Sequence, residues 1–411
     1  MPQNLVQLLR RAAPPLWLLS FLFLAFHGAT VAAPDNKVFL ALIITGGLIV
    51  FGLEREALRG LWRDNRTILV TSLLLAGAIA LSESIGRYHG VAPAHPWPPQ
   101  LALFLCLPVL AVFLKDARWL ALVVGIFCLL CAWHFIAMPV EAVTGSKLSW
   151  HPLMLLPRDA GPLHYQASGL AWQAYYFAGL FLPLFYLAWG PVYEKRVFAD
   201  LHVSRRAMLA LALLWLIPAA CVQSRSAFAG TLCAALLAIV ATSGRRNVRV
   251  WFAVGLLAVF AAGIYWQMFA ENKSGADLRV AYFKLYVRES LHWPWILTGR
   301  SYYLDPDIRM MVPGMIPLQH SHNDISQILY SWGLPGLLAY VAYLAALVRL
   351  VWKRFVAHGE VWPACALVVL FPSMVTDLGF QHYEKAVALV LVTALCMALA
   401  PKPAPGRPAT P

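Results

Sequence analysis

From Met268 to Asn323 the chain reads MFAENKSGADLRVAYFKLYVRESLHWPWILTGRSYYLDPDIRMMVPGMIPLQHSHN. It is the one long polar stretch in an otherwise apolar chain. It carries Lys273, Arg279, Lys284, Arg288, Arg300 and Arg309, and closes on His320, Ser321, His322 and Asn323. The segments on either side are apolar runs of roughly 17 to 25 residues, the length a helix needs to cross about 30 Å of hydrocarbon. The polar stretch therefore reads as an external loop lying over a membrane face, with the rest of the chain as its scaffold.

Composition agrees. Of 411 residues, 61% are hydrophobic and 12% charged, whereas a soluble domain carries about 25% charged residues. Such a chain needs lipid around it. The alternating ten-residue strands of a membrane barrel are absent. The predicted fold is all-α, a polytopic membrane protein of about 12 transmembrane helices whose long external loop contains helices of its own. The spans fall at 15–33, 37–53, 67–83, 100–114, 117–138, 170–190, 207–222, 226–243, 250–268, 325–350, 361–376 and 385–400. Residues 1–400 form a single transmembrane domain. Residues 139–169 and 269–322 are its larger outer loops, and the Pro-rich 401–411 is a disordered cytoplasmic tail. At the N-terminus, Arg10 and Arg11 precede an apolar run that ends in Thr30, Val31, Ala32 and Ala33, the layout of a signal peptide. Pro34 at the first position after a cut disfavours cleavage, so the run is read as a retained first helix.

The formal net charge is +13. On a soluble protein that would suggest nucleic acid; here it has a topological reading. With the N-terminus in the cytoplasm, the basic clusters around Arg59, Arg118, Arg196, Arg245 and Arg354 fall on one side with both tails, as positive-inside bias requires. All seven cysteines lie in apolar runs. Cys128 and Cys131 have a CxxC spacing without the second pair of a zinc site, so they read as inert buried thiols.

Within the long loop, Leu278, Tyr282, Leu285 and Tyr286 recur near the helical period, which predicts a helix over 276–292. Arg279 points to one side of it, Lys284 and Arg288 to the opposite side. Trp293, Pro294 and Trp295 end this helix at lipid-headgroup depth, and Thr298, Gly299 and Arg300 form a turn. Asn323 or Asp324 caps the next span. His322 then stands at a helix N-terminus, where partial positive charge favours neutral imidazole and hence a general base for a hydroxyl. The alternatives are a plain polar loop histidine, or a metal site from His320 and His322 with Asp305 and Asp307 as further ligands.

Gln223, Ser224, Arg225 and Ser226 form the whole connection between two spans and open outward. An arginine there is either an interfacial residue extending to the headgroups or an anion clamp, since its planar fork suits phosphate. A third segment, from Arg158 to Trp172, offers Tyr165 and Gln166 as sugar contacts, with an ordinary loop as the other reading.

On these residues the sequence resembles the O-antigen ligase and polymerase superfamily. The features that carry the resemblance are Ser224 and Arg225 at an outward turn, Arg279 on a loop helix, Pro294 through Gly299, and His322 with Asn323. After them comes Ser331, Trp332, Gly333, Leu334, Pro335 and Gly336 at the start of the next span. It covers roughly residues 160 to 350. It implies a bacterial inner-membrane glycosyltransferase with cytoplasmic termini and a periplasmic site, acting on an undecaprenyl-diphosphate-linked polysaccharide donor. Neither cofactor nor metal is implied, and no nucleic acid. For the ligase the acceptor is lipid A–core oligosaccharide, and membrane lipids surround the whole.

Carried over, His322 is the base and Arg225 and Arg279 hold the diphosphate. Arg300 is a third phosphate contact or a rim charge. Arg158, Arg288, His320, Asn323, Tyr165 and Gln166 are possible substrate contacts. Pro335 departs from the family pattern and is expected to kink the tenth span. The modest length favours the ligase over a protein O-oligosaccharyltransferase, with an O-antigen polymerase as the nearest alternative. A flippase or transporter for an anionic lipid is the alternative of a different class. It calls for ionisable residues deep in the spans, and the sequence offers few beyond His27, His134 and Arg225.

Overall fold

Helices make up nearly all of the described residues in the computed structural model. It describes residues 3–30, 36–88, 98–146, 156–160, 163–167, 174–241, 276–300, 323–376 and 383–399, with isolated positions 247, 251, 254, 255, 258 and 321. In order the elements are α1 (Gln3–Thr30), α2 (Asn36–Leu53), α3 (Arg55–Tyr88), α4 (Pro99–Phe113), α5 (Ala117–Thr144), β1 (Leu156–Ala160) and β2 (Leu163–Gln166). Then follow α6 (Ala174–Tyr193), α7 (Arg205–Leu214), α8 (Leu216–Cys221), α9 (Arg225–Ala241), α10 (Ala276–Ser290) and α11 (Trp295–Thr298). The last three are α12 (Asp324–His358), α13 (Trp362–Thr376) and α14 (Tyr383–Ala398).

Among the described residues, three helices are long and apolar enough to cross a membrane: α3, α5 and, within α12, Asp324–Val356. Shorter apolar helices accompany them, among them Gln100–Phe113, Phe177–Tyr193 and Arg225–Ala241. The expected ninth span, 250–268, and the tail 401–411 lie outside the described residues, apart from four isolated positions in the former. Helix boundaries differ from the sequence reading in a systematic way. α3 runs through the basic stretch Arg55–Arg66, with a non-helical residue at Asn65, and α5 continues to Thr144. Hydropathy marks where a helix leaves lipid, not where its hydrogen bonds stop.

The expected span 207–222 is two pieces, α7 and α8, meeting at Trp215. Pro218 explains the break, since it has no N–H to offer the Leu214 carbonyl one turn back. Among the described residues the all-α expectation has one exception. β1 and β2 form an antiparallel hairpin, Leu156 opposite Gln166 and Ala160 opposite Leu163.

α14 is the centre of the bundle. Every residue from Tyr383 to Met397 is buried, which is the mark of a helix surrounded by protein on all sides. It packs on α4, α6 and α1, and Tyr343 of α12 bonds Thr393 of α14 at 2.7 Å. α12 packs on α3, and α13 packs on α9 and α6. With no difference in polarity between lipid tails and helix faces, such contacts rely on close approach of small residues. A Cβ at Gly230 of α9 would stand 2.7 Å from the Val369 carbonyl of α13, and Cys365 donates to the Ala234 carbonyl at 3.3 Å. These two contacts make α9 and α13 antiparallel. α13 also runs back along α12, because only Gly359 to Val361 separates them. The N-terminus of α9 therefore lies at the same end of the bundle as Asn323.

The opposite end is closed by ions. Glu360 accepts from Arg196 at 3.0 Å and from Arg354 at 2.6 Å. Arg354 also donates to the carbonyls of Cys396 and Leu399, capping α14. At that same end Asp116 caps α5 by accepting from the Arg118 backbone at 2.9 Å. Hydrogen bonding to Arg118 holds the Asp116 carboxyl below the usual carboxylate range.

Candidate functional site

The turn that carries Arg225 is built as the sequence suggests. α8 ends at Cys221 and α9 starts at Arg225. Gln223 takes φ 53° to reverse the chain. Ser224 caps α9, its Oγ accepting from Ala227 at 3.4 Å and lying 3.1 Å from Ser226 Oγ. The hairpin pins the turn from the side. Gln166 Nε2 donates to the Val222 carbonyl at 2.8 Å, Gln223 Nε2 to the Tyr165 carbonyl at 3.0 Å, and the Ala167 amide to the Cys221 carbonyl at 3.0 Å. The Tyr165 ring lies on Gly145 at the end of α5. Tyr165 and Gln166, expected as sugar contacts, are thus brought to the Arg225 turn and spend these groups holding it. Arg225 itself is exposed on the first turn of α9, with no ion pair to a described residue. Arg158 lies on β1, and its side chain is outside the description.

The second group lies on the long loop. α10 spans Ala276–Ser290, close to the predicted extent, and the stretch at Trp293 ends it. Tyr282, Tyr286 and Ser290 are buried at helical spacing against α12, while Lys284 and Arg288 are exposed. Position 279 falls on the same helical face as Tyr282 and Tyr286; its side chain lies outside the description. Burial first, then Tyr330 and Tyr282, push the Tyr286 phenol well above its ordinary range. Glu289 ties two of the loop arginines together, 3.3 Å from Arg288 and 3.4 Å from Arg300. The Arg300 guanidinium stands 5.4 Å from the Trp295 ring centre and 5.8 Å from that of Tyr330, within cation–π range.

The third group is the start of α12. Of the two capping candidates the structure uses Asn323, whose Oδ1 accepts from Ile325 at 2.9 Å and Ser326 at 3.4 Å. Asp324 instead accepts from the Tyr340 hydroxyl at 2.8 Å. Ser321 is fixed by Gln327 Oε1 on its amide and by its own bond to the Asn323 carbonyl, both 2.9 Å. His320, His322, Asp305 and Asp307 lie outside the described residues. Ser321 and Asn323 are both anchored to the first turn of α12.

The structure also corrects the view that few ionisable groups enter the helices. Glu83, Glu141, Asp324, Glu384 and Lys385 are all buried. Most telling are Ser82 and Glu83, near the Asn323 end of α3. Glu83 accepts from Trp332 Nε1 at 3.2 Å, and Ser82 donates to the carbonyls of Thr298 and Ser331. The available signal was an acid within the last two turns of an apolar run, which lipid alone would not tolerate. The kink in α12 is likewise displaced from its expected place. The non-helical residue is Gly333, at φ 67°, two before Pro335. The helix restarts after Gly333, so Pro335 sits in a first turn, where its missing N–H costs nothing.

These features define a helical membrane protein whose Asn323 end gathers basic and aromatic groups on a loop and a tight inter-helix turn. Residues 207–341, about a third of the chain, match the family model described as O-antigen ligase. The match encloses Arg225, Arg279, Arg288, Arg300, His320, His322 and Asn323, and leaves α3 and the hairpin outside. A comparison with curated proteins gives no match.

Proposed function

We propose that the protein is an O-antigen ligase of the bacterial inner membrane. Both termini are cytoplasmic, the chain makes about twelve spans, and the Asn323 end faces the periplasm. It transfers O-antigen polysaccharide from undecaprenyl diphosphate to lipid A–core oligosaccharide without a metal. The observation that carries this reading is Arg225: an exposed cation on a rigidly pinned turn, free of any described ionic partner, inside the matched segment.

In this mechanism His322 takes the proton of the acceptor hydroxyl. The acceptor oxygen bonds to the anomeric carbon as the bond from that carbon to the phosphate oxygen breaks. The electron pair leaves with the lipid diphosphate, whose growing charge meets Arg225 and Arg279. Fixed cations at a low-dielectric boundary stabilise that charge without reorganising. A single displacement inverts the anomeric centre.

A deletion strain examined by lipopolysaccharide gel tests the assignment. A ligase leaves long polymer stranded on the lipid carrier. Core bearing a single repeat unit would instead mean a polymerase. Carrier-linked single repeats held on the cytoplasmic side would mean a flippase, the reading to which buried Glu83, Glu141, Glu384 and Lys385 lend some weight.

A further inference from the structure

We infer that Arg300 is a positioning residue: it clamps the α10–α11 loop to the break in α12, with Ser82 of α3 closing the joint, and it does not ligate the anion. The inference rests on the proposed function, because the site it positions is the one described there.

The break creates the need. The Ser331 carbonyl would ordinarily bond the amide four residues on, but that residue is Pro335, which has none. The Tyr330 carbonyl faces the same end of the first half of α12. Both are met from outside the helix. Arg300 donates its backbone N–H to the Tyr330 carbonyl at 2.8 Å. Ser82 donates to the Ser331 carbonyl at 3.2 Å and also to the Thr298 carbonyl at the end of α11. Backbones come close enough for this only because both sides present glycine. A Cβ at Gly299 would lie 2.3 Å from the Ser331 oxygen, and one at Gly333 would lie 2.8 Å from the Gly299 nitrogen. Both glycines have φ 67°, which a side chain disfavours.

The side chain of Arg300 completes the clamp. Its charge is met by Glu289 at 3.4 Å, and its plane lies near the rings of Trp295 and Tyr330. Its side chain is only 19% exposed. A cation is also favoured where the carbonyl end of a helical segment stops. Arg300 thus has an ionic partner, two aromatic neighbours and a backbone bond before any substrate arrives. The joint fixes α10 and its position 279 relative to the first turn of α12, which Asn323 caps.

The test uses the full chain in nanodiscs, with Cys128 and Cys233 replaced by serine and spin labels at Lys284→Cys and Leu338→Cys. Lys284 and Leu338 are exposed, on α10 and beyond the break in α12 respectively. Pulsed dipolar spectroscopy reads the distance distribution, and glycan transfer gives kcat and donor KM. Arg300→Lys and Ser82→Ala are expected to broaden the distribution and lower kcat about tenfold, with donor KM within about twofold, as misplacement of reacting groups predicts. Arg225→Ala leaves the distribution narrow. An unbroadened distribution in Arg300→Lys overturns the clamp, whatever the kinetics. Unchanged kcat despite broadening overturns its bearing on the site. A donor KM raised tenfold or more by Arg300→Lys assigns the residue to the anion instead. If the native chain transfers no glycan, the distances still decide the clamp, and only the proposed reaction fails.

Discussion

Arg225 and Arg300 stand at the same end of the bundle, and their surroundings treat them in opposite ways. Arg225 heads α9 on a turn whose backbone accepts from Gln166 and Ala167 and whose Gln223 side chain donates to the Tyr165 carbonyl, while the Arg225 side chain stays exposed. Arg300 is enclosed: Glu289, Trp295 and Tyr330 surround its guanidinium. In the first region the scaffold is spent on the backbone so that the cation remains available. In the second the cation is itself part of the scaffold. An arginine counted in a sequence as a positive charge near a substrate can play either part. Only the partners of its side chain tell which.

Four measurements break or sharpen this contrast. The largest effect is expected at the proposed base. His322→Ala should lower transfer about 10²- to 10⁴-fold, the usual worth of a positioned base, in protein that remains monodisperse by size-exclusion chromatography. Activity within twofold of the native chain removes histidine from the mechanism.

Next comes the packing of the joint. Gly299→Ala forces a positive-φ alanine against the Ser331 carbonyl, at a cost of about 2–4 kcal/mol from strain and overpacking, read as a lowered thermal midpoint. Gly77→Ala meets nothing within 4 Å and should leave the midpoint unchanged or slightly raised. Equal shifts in the two variants contradict the close approach at Gly299.

Arg225→Ala should raise donor KM about 10- to 100-fold, equivalent to the roughly 1.5–3 kcal/mol of a charge-assisted hydrogen bond. Its thermal midpoint should stay put, since no described contact of the fold depends on that guanidinium. A large loss of stability in this variant, with donor KM unaltered, makes Arg225 structural and erases the contrast. The smallest effect is expected from chelation. EDTA should leave transfer unchanged, and loss restored by a divalent ion returns Asp305 and Asp307 to consideration as ligands.

Much of this was legible in the chain. The bare turn at Gln223–Ser224 and the helix beginning near Ala276 follow from local rules of period, capping and punctuation. So does the cap at Asn323, and all were read at close to their observed positions. Ser82 and Glu83 were not read, because their partners are 216 and 249 positions away. Pro335 misled for a related reason. Its effect on helix geometry is local, but Gly333 carries the bend because the backbone at Leu297 and Gly299 presses against it.

The sequence alone determined that this chain seeks lipid, that it does so with helices, and that one polar, basic and histidine-bearing stretch interrupts the apolar runs. Periodicity, length and charge are properties of neighbours along the chain, and they suffice for that. The tertiary structure decided which helix lies at the centre, which arginine is enclosed and which is left open. Those depend on which distant backbones come within contact of one another. That is set by complementary shape and by carbonyls left without an amide, neither of which is written at any single position.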